Sequence, residues 1–128
     1  MKREFSLKGR KLFKEILKKG TRVQEEGIQL IVLNYSKIKS EKIRNYFHKN
    51  DVKIGILINK KHGNAFLRNK TKRKIRAIFN DLLQSFNSGQ YLIIKPDENF
   101  RKLEHEQAKS TIKALLLKVG AIKSDNHI

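Results

Sequence analysis

Apolar residues recur along this chain with two different periods. Over residues 9–19, Leu12, Phe13, Ile16 and Leu17 fall on one side of a helical wheel and lysines on the other, and Gly20 stands where a helix-ending glycine belongs. The spacing predicts a helix there, with Ser6 as its candidate N-cap. Residues 21–24 read as a short strand. Residues 28–35 are apolar and β-branched and read as a second strand. Residues 52–58 read as a buried strand, in which Gly55 marks a close backbone approach. Between these two lies SKIKSEKIRNYFHKND, residues 36–51, polar and basic with Ile43, Tyr46 and Phe47 inside. Its pattern fits either a long hairpin tip or an extension of both flanking strands.

The helical period returns after a basic stretch. Ile75, Ile78, Phe79, Leu82, Leu83 and Phe86 follow the i, i+3, i+4, i+7 spacing, and Asn87-Ser88-Gly89 ends it. Residues 91–94 read as a strand, with Lys95-Pro96-Asp97 turning out of it. A last helix is predicted over 100–119, with Leu103, Ala108, Ile112, Leu115, Leu116 and Val119 on one face and Gly120 closing it. The tail after 120 is expected to fray. The order αβββαβα predicts an α+β or α/β sandwich: one central sheet of about four strands with three helices. A length of 128 residues suits a single domain over 1–128, and there is no internal repeat.

Charge changes the picture. Thirty Lys and Arg stand against twelve Asp and Glu, a formal net charge of +18. Charge on this scale bears on partners rather than fold, and its ordinary partners are nucleic acid, anionic membrane or an acidic protein. Part of the Lys excess accompanies abundant Ile and Asn, as in an A/T-rich coding sequence, so the positions of the Arg residues carry more information than the total. The absence of cysteine excludes disulfides, a thiolate zinc site and a thiol nucleophile. No apolar run approaches a bilayer span, and MKREFSLKGRKLF has no secretory h-region, so a cytoplasmic protein is expected.

The basic residues are concentrated. In residues 60–76, KKHGNAFLRNKTKRKIR, eight of seventeen are Lys or Arg and none is acidic. On a helix, Arg68, Asn69, Lys72, Arg73 and Arg76 fall within one arc of roughly 140°, beside the Ile75, Ile78 and Phe79 stripe and not across it. Such a helix can pack on a sheet and still present a polar comb. Arg forks suit phosphate oxygens, Asn69 both donates and accepts, and the helix N-terminus near 64–68 adds backbone N–H groups. A merely solvated face would interleave Glu with Lys at i+4, and this one has none. The mutual repulsion predicts that anions stabilise the fold.

The stretch Lys61-His62-Gly63-Asn64-Ala65-Phe66-Leu67-Arg68-Asn69-Lys70-Thr71-Lys72-Arg73-Lys74-Ile75-Arg76 resembles the signature of the protein subunit of bacterial ribonuclease P: a Lys, Gly-x-Ala, then Arg-Asn, Lys-Arg and Arg at fixed spacing. LKGRKLFKEILKKG, residues 7–20, is similar to the family's first helix, and the resemblance spans about 5–118. The resemblance implies an RNA-binding subunit of an endonuclease whose catalysis belongs to an RNA subunit. That RNA cuts the 5′ leader from precursor tRNA with Mg²⁺ held mainly by RNA. It also implies a left-handed βαβ crossover. Lys60, Lys61, Arg68, Asn69, Lys72, Arg73 and Arg76 would bind the RNA subunit. Phe13, Leu17, Ile31 and Tyr35 would line the leader cleft, with no catalytic residue in the protein. Leu17 and Ile31 stand where the family often has aromatics, Ala77 where it often has an acid, and residues 36–51 are longer than usual.

Other functions fit less well. A metal-free nuclease needs convergent His and Lys, whereas His48, His62, His105 and His127 are scattered. Glu104-His105-Glu106 is the one acidic cluster, and its carboxylates point to different sides of a helix. Membrane docking would use the apolar stripe the core needs. A ribosomal or other structural RNA-binding protein without a role in cleavage is the alternative, disfavoured only by the spacing within the basic helix.

Overall fold

The computed structural model describes residues 3–45 and 47–123; Tyr46 and His127, named above, lie outside the described residues. Four strands form one mixed sheet: β1 (Thr21–Glu25), β2 (Ile28–Asn34), β3 (Val52–Ile56) and β4 (Gln90–Pro96), in the order β1-β2-β4-β3. β1, β2 and β4 are antiparallel neighbours, and β3 runs parallel to β4. The helices are α1 (Arg10–Lys19), the single turn α2 (Glu41–Arg44), α3 (Ala65–Leu82) and α4 (His105–Lys118). The β1–β2 hairpin closes through Glu26 and Gly27, both at positive φ, as a two-residue primed turn requires.

Strand alternation gives the sheet two covered faces. Leu30, Val32, Leu92 and Ile94 point to one side, against Ile75, Ile78 and Phe79 of α3 and Ala108, Ile112 and Leu116 of α4. Ile31, Leu33, Tyr91 and Ile93 point to the other, against Ile16 of α1 and Ile38 and Phe47 of the 36–51 segment. β4 is buried along nearly its whole length, as a central strand covered on both faces must be.

Ile94 fixes the hand of the β3–α3–β4 crossover. Its carbonyl points toward β3, accepting from the Leu57 N–H at 2.9 Å, and its side chain lies in the cluster shared with α3. On an upward strand, an L-residue whose side chain faces the viewer directs its N–H and C=O to the right. With α3 in front, β3 therefore lies to the right of β4, and the chain moves leftward from β3 to β4. The crossover is left-handed, as the resemblance implied, against a right-handed rule that holds in about 98% of cases.

Several local expectations are corrected. Ser6 is not the cap of α1: it bridges Ile54, and Gly9 occupies the cap position. Residues 36–51 form neither a hairpin tip nor strand extensions, because β4 inserts between β2 and β3 and the segment must pass across the sheet end. The last helix is broken. Asp97 caps a 3-10 turn, Glu98–Lys102, and α4 begins only at His105. Past Gly120 the chain still packs: Ala121 and Ile122 are buried, and Ile122 bridges Phe86. Among the described residues, no helix is long and apolar enough to cross a membrane.

Candidate nucleic-acid interface

The basic helix is held from its first turn. The Asn64 side chain caps α3 by accepting from the Leu67 N–H at 3.0 Å. The preceding 3-10 turn, Lys60–His62, is capped by Asn59, which accepts from the Lys61 N–H at 2.7 Å. His62 Nε2 lies 2.6 Å from Thr71 Oγ1, tying that turn to the second turn of α3. His62 is buried, and burial first, then the nearby Arg101 guanidinium, holds its imidazole below the ordinary value. It braces the turn against the helix.

With Thr71, Ile75, Ile78, Phe79 and Leu82 buried, the opposite side of α3 faces water. Asn69, Arg73 and Arg76 are exposed and Arg68 and Lys72 half-buried, so the comb predicted from the wheel is assembled. Lys60 and Lys61 are exposed on the turn leading into it. The ion pairs Lys19–Glu15 and Lys109–Asp81 lie elsewhere, and among the described residues no carboxylate pairs with the comb. Lys74, beside it, donates to the Leu103 carbonyl and sits 5.0 Å from the Phe100 ring centre. Burial, then the charge of Lys70, lowers its pKa.

The candidate cleft residues separate into two kinds. Phe13 is half-buried and lies over Gly55: a β-carbon there would fall 2.6 Å from Phe13 Cζ. Leu17 is half-buried on α1, and Tyr35 is half-buried with the Arg44 guanidinium 5.1 Å from its ring centre. Ile31, by contrast, is 0% exposed, because α1 covers its face of the sheet. It belongs to the core, not to a surface that nucleic acid can touch.

The sequence offered comb and cleft as separate features, and the fold makes them continuous. A cavity of about 140 Å³ is lined by Phe13 and Gly55 on one side and Lys72 and Arg76 on the other. A second depression, about 370 Å³, is lined by Phe66, Asn69, Arg73 and Arg76. Phe66 was not singled out from sequence; its signal was the i, i+3, i+7 spacing from Phe66 to Asn69 and Arg73, which puts an aromatic on the polar face. Arg44 was missed because its partner Tyr35 is brought to it only by the fold.

His48, His62 and His105 sit on separate elements, and Glu104 and Glu106 are exposed at the start of α4. Among the described residues, no group of three or more His, Cys, Asp or Glu could hold a metal ion. What the surface can do is bind an extended polyanion, with an aromatic ring at each end of the comb.

Comparison with known proteins bears on the family and the fold. A family model described as Ribonuclease P matches residues 1–120. The ribonuclease P protein component of Finegoldia magna is 27% identical over 112 residues, 88% of each chain. That of Listeria welshimeri is 42% identical over 76 residues, 57% of this chain and 60% of the relative. The structure of the RNase P protein of Staphylococcus aureus is similar at a TM-score of 0.74 and 24% identity, covering 93% of this chain and 98% of that one. That of Thermotoga maritima is similar at 0.72 and 23% identity, with the same coverage. These two structures share the fold.

Proposed function

We infer the function from one premise: this chain belongs to the ribonuclease P protein family. It is a subunit of an endonuclease complex, and its partner is the ribonuclease P RNA. In our reading, that RNA removes the 5′ leader of precursor tRNA in the cytoplasm, and the protein makes the RNA competent at low Mg²⁺. The adjacency of the comb and Phe13 carries this reading, because the RNA subunit on the docking helix and the leader on Phe13 are then held side by side.

The mechanism is electrostatic and geometric. Arg68, Asn69, Lys72, Arg73 and Arg76, with Lys60 and Lys61 leading in, contact phosphates of the RNA subunit and release their counterions. The leader passes along Phe13, whose ring offers a base a stacking partner worth about 1–3 kcal/mol. Leu17 and Tyr35, half-buried against the same core cluster as Phe13, are the other residues of the proposed cleft. Mg²⁺ is supplied through RNA and substrate phosphates, and protein charge replaces part of the screening it would otherwise provide. Binding of the RNA subunit by wild-type protein and Arg73→Ala across a salt series tests the docking surface. Weaker binding with a shallower salt dependence supports it. Identical curves would mean that the RNA-docking surface lies elsewhere on the protein.

A further inference from the structure

Phe66 is 67% exposed, by far the most exposed large apolar side chain among the described residues. Single exposed apolar residues are ordinary. This one is unusual in its setting, for it shares a depression of about 370 Å³ with Asn69, Arg73 and Arg76 and with no other apolar side chain. Nothing in folding places it there: the core stripe of α3 lies on the opposite side, and an apolar ring among cations gains little burial. Among the described residues, no ring and no cation stacks on it. The exposed ring is accessible to a planar partner.

The depression combines the three elements that recognise an unpaired nucleotide. An aromatic face stacks a base without regard to its identity. Asn69, one turn on, offers a donor and an acceptor to a base edge or a 2′-hydroxyl. Arg73 and Arg76 offer planar forks to the flanking phosphates. The volume lies within the roughly 300–1,000 Å³ typical of small-ligand sites.

We propose that Phe66 is a stacking platform for one unstacked nucleotide of the RNA subunit, held between Asn69 and the Arg73–Arg76 pair. The proposal rests on the RNA-docking reading above and adds to it: docking through α3 reads an extruded base as well as phosphate charge. The occupant is the RNA subunit rather than the leader. Phe66 shares its depression with Asn69 and Arg73 of the docking helix, whereas Phe13 and Gly55 line another cavity that has only Arg76 in common with it.

The test measures dissociation constants for transcribed ribonuclease P RNA across a salt series, using wild type, Phe66→Ala, Phe66→Leu, Phe66→Tyr and Arg73→Ala. Circular dichroism confirms that each variant is folded. Phe66→Ala should weaken binding about five- to a hundredfold with an unchanged salt slope, because stacking releases no counterions. Phe66→Tyr should bind as wild type and Phe66→Leu should not, since it keeps apolar bulk without an aromatic face. Wild-type affinity in Phe66→Ala or in Phe66→Leu would overturn the proposal while a weakened Arg73→Ala left the docking reading standing. Wild-type binding by Arg73→Ala as well would overturn both.

Discussion

A β-carbon on residue 55 would lie 2.6 Å from Cζ and 2.9 Å from Cε1 of Phe13, closer than carbon atoms approach. Gly55 thus lets the ring of α1 lie down on β3, beside Lys72 and Arg76 of α3. The glycine within β3 sets the aromatic end of the proposed RNA-facing surface.

Replacing Gly55 by Ala should lift the Phe13 ring without unfolding the domain, because the atoms to be displaced are the outer edge of that half-buried ring and the methyl end of Leu7. Overpacking of this kind costs about 1–3 kcal/mol, read from urea unfolding. Affinity for precursor tRNA bearing a leader should fall, while docking on the RNA subunit stays as in wild type. Equal loss of both would mean that Phe13 has no separate role in leader binding.

Arg73→Ala should reduce the slope of log K against log salt for the RNA subunit by about one, the loss of one phosphate contact. Arg73 is exposed, so thermal unfolding should be unchanged. A lower melting temperature together with an unaltered slope would assign Arg73 to the fold.

The helical segments were legible because period alone identifies them: the α1 face with Ile16 and the α3 stripe with Ile75, Ile78 and Phe79 are buried as read. The comb followed from the same wheel. What period cannot show is pairing at long range. Residues 36–51 were misread because β4, from much later in the chain, separates β2 from β3. Ile31 was misplaced for a related reason, since α1 decides which part of the sheet is closed. The break before α4 carries no Gly or Pro; the Asp97 side chain, accepting from the Asn99 N–H at 2.8 Å, starts the 3-10 turn instead. The handedness of the crossover came from resemblance, because nothing in a period-2 pattern records it.

His62 predicts a pH dependence of stability. Burial, and then Arg101, lowers its pKa in the folded state, so the unfolded chain binds the proton first as pH falls. Stability from this group is full above about pH 6.5 and is lost as pH falls toward the lowered folded value. Urea midpoints between pH 7 and 5 should decline more steeply for wild type than for His62→Asn. Parallel declines would contradict this. Thr71→Val, which removes the partner of the buried imidazole, should cost about 1–3 kcal/mol at pH 7.

Tyr91 anchors the 36–51 segment. Its hydroxyl accepts from the His48 N–H at 2.6 Å and donates to the His48 carbonyl at 3.0 Å, while Phe47 meets its ring edge-on at 4.5 Å. Tyr91→Phe keeps the ring contact and loses both hydrogen bonds, at a cost of about 1–3 kcal/mol. Amide exchange should accelerate at His48. Unchanged protection there would show that Phe47 and Ile38 hold the segment by themselves.

In the proposed function this protein enables an RNA to cut rather than cutting RNA itself. The most direct measurement is cleavage of a precursor tRNA at low Mg²⁺ by ribonuclease P RNA from the same organism, with the protein, without it, and with the protein alone. Correct 5′ maturation is expected only when RNA and protein are combined, and none from the protein alone. Cleavage by the isolated protein, or a reaction the protein leaves unchanged while binding the RNA, would contradict it.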